Sequence, residues 1–320
     1  MILVTGASGY IGSSLCRVLI DQGLDVVATG RKKVFGLAVK RYESFDLEVG
    51  AVADDLCVGV DAVIHLAARA HILKEHCEDP LKAFRIANVY ATVRLAEAAI
   101  RNGVRRFIYV SSIGVNGNLT QSKGFSEESP KKPSTPYALS KCEAENALLA
   151  MMSGSKTELV IIRPPMVYAG DAPGNFQRLL KLVHQGFPLP FKEVGNQRSI
   201  IALENLLDFI VLCIFHPRAA GEVFLVSDGQ DVSISDIVER IAEGMGKSVR
   251  LIHIPLPWVE KIAKLLGKQA IYNQLYCSLQ IDSSRAQILL GWTPPVSVRE
   301  ALIAAGRSYR VARLVGDSKC

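Results

Sequence analysis

Residues 1–12 read MILVTGASGYIG. Met1, Ile2, Leu3 and Val4 form a short apolar strand, and Gly6, Gly9 and Gly12 follow at three-residue spacing into a helical pattern from Tyr10 to Gln22. A strand that turns over glycine into a helix aims the helix's free N–H groups at open space, which makes an anion site. Gly6 allows the tight turn, Gly9 lets a pyrophosphate approach the backbone, and Gly12 lets the helix pack against the strand. A glycine-rich loop by itself can simply turn the chain. The strand before this one and the helix after it point to a dinucleotide site.

Downstream, the same alternation continues. Asp25 to Thr29 is a second apolar strand ending in Gly30-Arg31-Lys32-Lys33. At that strand end an acid accepts hydrogen bonds from a free ribose 2′-hydroxyl, whereas an arginine accommodates a 2′-phosphate. The acid is missing, so Arg31 favours NADP(H) over NAD(H), although a short basic run can also be mere solvated surface. Asp46, after the third strand, is placed to receive the adenine amino group. Asp61 to Ala68 is the fourth strand, whose small Ala67 and Ala68 let a cofactor lie across its end; His65 within it reads as a satisfied core histidine. Pro80 to Gly103 reads as one long helix containing Asn88.

Phe107 to Ser112 is the fifth strand, a long polar loop runs from Gly114 to Pro136, and Tyr137 to Met152 is the next helix, before a sixth strand at Leu159 to Ile162. Alternating strands and helices imply an α/β fold, a doubly wound parallel sheet. From Arg163 the rhythm changes. A helix and strand, Leu206 to Phe215 and Glu222 to Val226, return to the sheet, while helices at Phe176 to Gln185, Ile234 to Met245, Pro257 to Gly267 and Arg299 to Tyr309 build a smaller, mostly helical lid. The expected division is a Rossmann domain over 1–165 with 199–227 returning to it, and a substrate subdomain over 166–198 and 228–315.

Composition narrows the function classes. The 320 residues are 49% hydrophobic and 21% charged, a globular composition, with a net charge of +6. Basic clusters are short and not interleaved with aromatics, which argues against nucleic acid and for small anionic partners. The longest apolar run, Ile200 to Phe215, is broken by Glu204, Asn205 and Asp208, an amphipathic helix and not a membrane span. Seven scattered cysteines form no CxxC pair or Cys/His cluster, so neither disulfides nor a metal is suggested. With the first strand starting at Met1, a cytoplasmic protein is the expectation.

Tyr137 and Lys141 stand four apart on a helix and share a face. An ammonium beside a phenol favours the phenolate and is expected to pull the phenol's pKa down toward working pH. Such a tyrosine can exchange a proton with an alcohol or carbonyl oxygen, and Ser112, at a strand end, can hydrogen-bond the same oxygen. Alone, the pair would be an ordinary helix surface; after a nucleotide-binding turn and a strand ending in serine it reads as catalytic.

TGASGYIG (5–12), the Gly30-Arg31 strand end, HLAA (65–68), FIYVSSIGVNG (107–117), YALSK (137–141) and RPPMVYAG (163–170), in this order, resemble the extended short-chain dehydrogenase/reductase family. The nearest branch is its sugar-nucleotide epimerases and reductases, of the UDP-glucose 4-epimerase type. The resemblance spans nearly the whole chain and is specific for the family, much less so for the substrate. It implies that Tyr137 is the proton donor or acceptor, that Lys141 holds the nicotinamide ribose and that Ser112 binds the reacting sugar oxygen. Asn175 matches an asparagine that touches the nucleotide phosphates, and Arg198 an arginine that clamps them. It also places Ser8, Tyr10, Ile11, Leu47, Leu66, Asn88, Pro164 and Val167 beside the cofactor, and implies a homodimer.

Departures from the pattern narrow the reaction. Dehydratases of the family place an Asp-Glu pair after the catalytic hydroxyl; Ile113 and Gly114 stand there and cannot transfer a proton. Epimerases usually keep the ribose-binding acid and an Asn where this chain has Met166. The expectation is therefore an NADPH-dependent reductase of a nucleotide-linked 4-keto sugar, UDP-activated and serving polysaccharide synthesis. The alternatives are a UDP-sugar 4-epimerase holding NAD and, since folds do not fix function, a non-catalytic NADP(H)-binding protein.

Overall fold

Seven parallel strands form one sheet in the order β3-β2-β1-β4-β5-β6-β9, in a computed structural model that describes residues 1–32, 36–44, 46, 54–70 and 79–317. The strands are β1 (Ile2–Thr5), β2 (Val26–Gly30), β3 (Arg41–Ser44), β4 (Ala62–His65), β5 (Arg106–Val110), β6 (Glu158–Arg163) and β9 (Val223–Leu225). The central strands β1, β2, β4 and β5 are buried along their whole length, as strands covered on both faces must be. Strand order reverses between β2-β1 and β4, so the carboxyl ends of β1 and β4 flank a crevice at the switch point, where such sheets bind ligands. The expected doubly wound parallel sheet is present.

Helices α1 (Tyr10–Asp21) and α6 (Leu203–Phe215) cover one face, where Leu15, Leu19, Leu206 and Ile210 pack on Val4, Ile64 and Ile162. Helices α3 (Ala91–Arg101) and α4 (Pro136–Met152) cover the other, with Leu95, Ala99 and Leu148 against Leu3, Val63 and Phe107. The long helix expected over 80–103 is divided. An α-helical turn, α2 (Pro80–Arg85), runs through a π-helical segment at Ile86–Tyr90 into α3. The Asp79 side chain caps α2 by accepting from the Lys82 amide at 3.0 Å.

The C-terminal part is largely helical: α5 (Asn175–Gln185), α7 (Ile234–Gly244), α8 (Leu256–Leu265), α9 (Gln269–Tyr276), α10 (Ser284–Leu290) and α11 (Val298–Asp317). Two features depart from expectation. A second, two-stranded parallel sheet pairs β7 (Met166–Tyr168) with β8 (Ile200–Ala202), so the boundary expected at 165/166 cuts a sheet whose other strand was assigned to the Rossmann domain. In addition, Ala286, Leu290 and Trp292, expected in the lid, pack into the sheet's own core. The Trp292 indole stacks edge-on against Phe209 at 4.9 Å and donates to Asp208 at 2.8 Å, which anchors that segment to α6. Among the described residues, no helix is long and apolar enough to cross a membrane.

Candidate active site

The β1–α1 turn closes as its glycines require. Gly6 has φ +68°, and a Cβ there would stand 2.8 Å from the Ala67 amide nitrogen. A Cβ at Gly12 would stand 2.2 Å from the Gly6 carbonyl oxygen, so only glycine lets α1 come this near the turn. No side chain caps α1, whose first amides, from Tyr10, Ile11 and Gly12, open toward the switch point. This backbone cradle fits a dinucleotide's pyrophosphate. Half-buried Leu66, Ala67 and Ala68 continue from β4 into the same crevice, with the Ala67 amide donating to Thr5 Oγ1.

At the end of β2, Gly30 leaves room that the Ser8 hydroxyl takes: a Cβ would lie 2.8 Å from it. Arg31 is exposed just beyond, and Asp46 is exposed after β3. Leu47 and Lys33 lie outside the described residues. Pro164 is buried behind the end of β6, its carbonyl accepting from the Ile113 amide at 3.0 Å, and half-buried Val167 follows on β7. Asn88 is tied into the protein. It is buried in the π-helical segment and its amide is engaged by protein: Oδ1 accepts from the Arg69 amide at 2.7 Å, and Nδ2 donates to the Arg69 carbonyl and to Ser140 Oγ at 3.0 Å. These bonds pin the chain after β4 to α4.

The residues expected to be catalytic lie near the carboxyl end of β5. Thr135 caps α4 by accepting from the Ala138 amide at 3.2 Å, and Pro136 opens the helix, so Tyr137 stands in its first turn, half-buried with its ring edge-on to Phe84 at 6.2 Å. One turn on, the Lys141 ammonium is buried, donates to the Val110 carbonyl at 2.8 Å and sits 4.4 Å from the Tyr109 ring centroid. Ser112 Oγ accepts the Gly114 amide at 3.1 Å, which leaves its own proton free to donate.

The electrostatics correct the expected acidic phenol. Burial dominates both groups, pushing Tyr137 up to about 12 and Lys141 down to about 7, with Glu145 opposing the second shift. The ammonium is held on the strand's carbonyl and does not acidify Tyr137 in this structure. His65 is the satisfied core residue anticipated: its ring nitrogens meet Thr5 Oγ1 at 2.7 Å and Thr92 Oγ1 at 2.8 Å, and burial drives it down to about 3.

Beneath the set lies a network that the residue types alone had not suggested. Glu145 is fully buried one turn after Lys141. Its carboxylate takes the Ser111 hydroxyl at 2.6 Å, a forked pair from Arg163 at 2.8 and 2.6 Å, and Lys131 at 3.1 Å. Arg163 also reaches Asn116 at 3.1 Å. The four-residue spacing Tyr137, Lys141, Glu145 was the available signal.

Asn175 and Arg198, far apart in sequence, line one small pocket of about 30 Å³ with Met166, Phe176, Leu179, Gln274 and Leu275. Asn175, exposed at the start of α5, donates to Gln274 Oε1 at 2.6 Å. Arg198 is buried; its backbone bridges Val232 on one side and Leu279 on the other, and its Nη1 donates to the Cys277 carbonyl at 2.8 Å. Burial works against its charge, an arrangement that an anionic ligand would relieve.

The family model described as NAD dependent epimerase/dehydratase matches residues 2–227. The chain is 38% identical over 319 residues to a UDP-glucose 4-epimerase of Vibrio cholerae, covering 96% of this chain and 95% of that one. It is 28% identical to the N-acetyl-alpha-D-glucosaminyl-diphospho-ditrans,octacis-undecaprenol 4-epimerase of Escherichia coli O157:H7, covering 94% and 92%. Among solved structures it resembles MoeE5 in complex with UDP-glucuronic acid and NAD, with a TM-score of 0.79, 25% identity, and 97% and 99% coverage.

Proposed function

The chain belongs to the NAD-dependent epimerase/dehydratase family, and from that premise we propose that it is a 4-epimerase of a UDP-activated sugar. The observation that carries this reading is the trio around the end of β5: Ser112 with a free proton to donate, Tyr137 in the first turn of α4, and Lys141 on the Val110 carbonyl. Ile113 and Gly114, where dehydration would need a proton-transfer pair, have no group that titrates. This favours oxidation and reduction at one carbon over elimination of water. A nicotinamide, when bound on the glycine turn, supplies reversible hydride exchange with C4 of the sugar. With the cation of the bound nicotinamide added to that of Lys141, Tyr137 would stand as the phenolate, take the C4 hydroxyl proton, hold it while the keto sugar turns over, and return it to the same oxygen once the sugar presents its other face. Ser112 orients that oxygen by donating to it. Asn175 and Arg198 hold the diphosphate, so the sugar can rotate about its tether without leaving.

Arg31 favours a second reading, the NADPH-dependent 4-ketoreductase. It stands exposed where an NAD enzyme commonly keeps a carboxylate, and Gly30 offers none. An epimerase regenerates its nicotinamide in each cycle, whereas a reductase consumes it. Purified protein is therefore mixed with UDP-glucose or UDP-N-acetylglucosamine and NAD, and separately with a UDP-4-keto sugar and NADPH. Interconversion of C4 epimers with no net change in nicotinamide absorbance supports the first reading. Oxidation of one NADPH per keto sugar, without epimerisation, replaces it with the second. Inactivity in both refutes both.

A further inference from the structure

Helix α8 has an apolar face wider than the fold covers. Ala263 is buried and Val259 half-buried, yet Trp258, Ile262 and Leu265 are 63%, 52% and 78% exposed, and Leu266, just past the helix end, is 66% exposed. These four recur at i, i+4, i+7 and i+8, one continuous stripe. An ordinary surface helix places polar residues there, and scattered exposed apolar residues would not line up in this way. Exposed Lys261, Lys264 and Lys268 flank the stripe. Against these three lysines the segment 256–268 carries a single carboxylate, Glu260, which pairs with Lys264 at 2.7 Å.

We propose that α8 docks the protein on an anionic lipid surface, with the stripe at the boundary between headgroups and acyl chains and the lysines on lipid phosphates. An outward row containing tryptophan and leucine, beside lysines, is the composition of helices that lie in a bilayer interface without crossing it. A second copy of the chain fits less well. A two-fold contact would set the lysines of one α8 against those of the other, and four side chains fall well short of the roughly 800 Å² per partner of a stable interface. The location has a consequence for the site. Gly267 and Lys268 turn α8 into α9, whose Gln274 and Leu275 line the Asn175–Arg198 pocket. Docking holds that pocket one short helix from the lipid. The inference is independent of which C4 reaction the enzyme performs.

The test uses the full chain with vesicles of phosphatidylcholine alone and of phosphatidylcholine mixed with phosphatidylglycerol. The protein is expected to float with the mixed vesicles only. Its two tryptophans report separately, because Trp292 is buried and bonded to Asp208 while Trp258 is exposed. Flotation should accompany a blue shift in emission that Trp258→Phe abolishes while still floating. Lys261→Glu with Lys268→Glu should weaken binding by at least about 25-fold, at about fivefold for each lysine lost. Trp258→Ser with Leu265→Ser should abolish flotation, with turnover of soluble substrate unchanged in the absence of vesicles. No flotation, or equal flotation on neutral vesicles, overturns the proposal. So does concentration-dependent self-association that the double serine variant removes.

Discussion

The Glu145 carboxylate accepts the Ser111 hydroxyl at 2.6 Å, one residue before the serine assigned to the reacting oxygen. The same carboxylate holds Arg163 in a fork and lies one turn beyond Lys141 on α4, so a single buried charge braces the end of β5 and α4 together. Breaking such a pair leaves Arg163 buried and uncompensated, at about 3–5 kcal/mol. Glu145→Gln is expected to lose stability of that order at pH 7, measured by urea unfolding. Its neighbours hold Glu145 below the usual carboxylate range in spite of burial. Its contribution is therefore present above the ordinary glutamate pKa and fades as pH falls through the folded value. The difference between wild type and variant should narrow in acid.

Lys141 gives a second expectation, read in the pH dependence of kcat/KM, which reports free-enzyme groups. With its ammonium pushed down to about 7, Lys141 loses its charge as pH rises through neutrality, so the loaded site would lack the cation that a phenolate at Tyr137 needs, and the rate limb should fall there. Glu145 holds this value up, so Glu145→Gln should move the limb to lower pH, an effect that loss of stability alone would not produce. Tyr137→Phe should lower kcat by about 10²–10⁴ while NAD binding survives. Full activity in that variant would remove Tyr137 from the mechanism.

What the sequence made legible follows a physical divide. The β1–α1 turn was readable because its requirement is local: Gly6 and Gly12 meet backbone only a few residues away or at the neighbouring strand. Tyr137 and Lys141 were readable because helical periodicity puts them on one face. Glu145 obeys the same period but was passed over, since its main partner Arg163 lies on a strand and a glutamate at that spacing is ordinarily solvated. Strands β7 and β8 are three residues each and pair across more than thirty residues, which no local pattern encodes. The phenol's upward shift was missed for a related reason. Spacing reports that Lys141 is near, whereas the burial that outweighs it is set by Phe84 and the rest of the fold.

His65 offers a stability test with a defined sign. The fold holds it neutral down to about 3, while the unfolded chain protonates near its ordinary 6.5. Below that, the unfolded state binds the extra proton, so stability falls as pH decreases. At pH 5 the loss from this one group is about 2 kcal/mol relative to neutrality. His65→Gln, which retains polar atoms toward Thr5 and Thr92, should be less stable at pH 7 yet lose less on going to pH 5. Equal slopes for the two proteins in urea titrations would show that His65 does not titrate on unfolding.

Arg198 distinguishes a ligand clamp from a strut. Its backbone is tied to Val232 and Leu279 and its Nη1 to the Cys277 carbonyl, so a purely structural role would appear as lost stability. A role on a diphosphate would instead appear as lost affinity, because the buried guanidinium pairs with phosphate oxygens in a fork that lysine cannot reproduce. Calorimetric titration with UDP separates the two. Arg198→Met is expected to weaken UDP binding by about 2–3 kcal/mol, in the range for a charged hydrogen bond, and Arg198→Lys by an intermediate amount. The Asn175→Ala variant should weaken it further in combination, since Asn175 lines the same pocket from α5. UDP affinity unchanged in Arg198→Met, alongside a lowered unfolding midpoint, would make Arg198 a strut and move the diphosphate elsewhere.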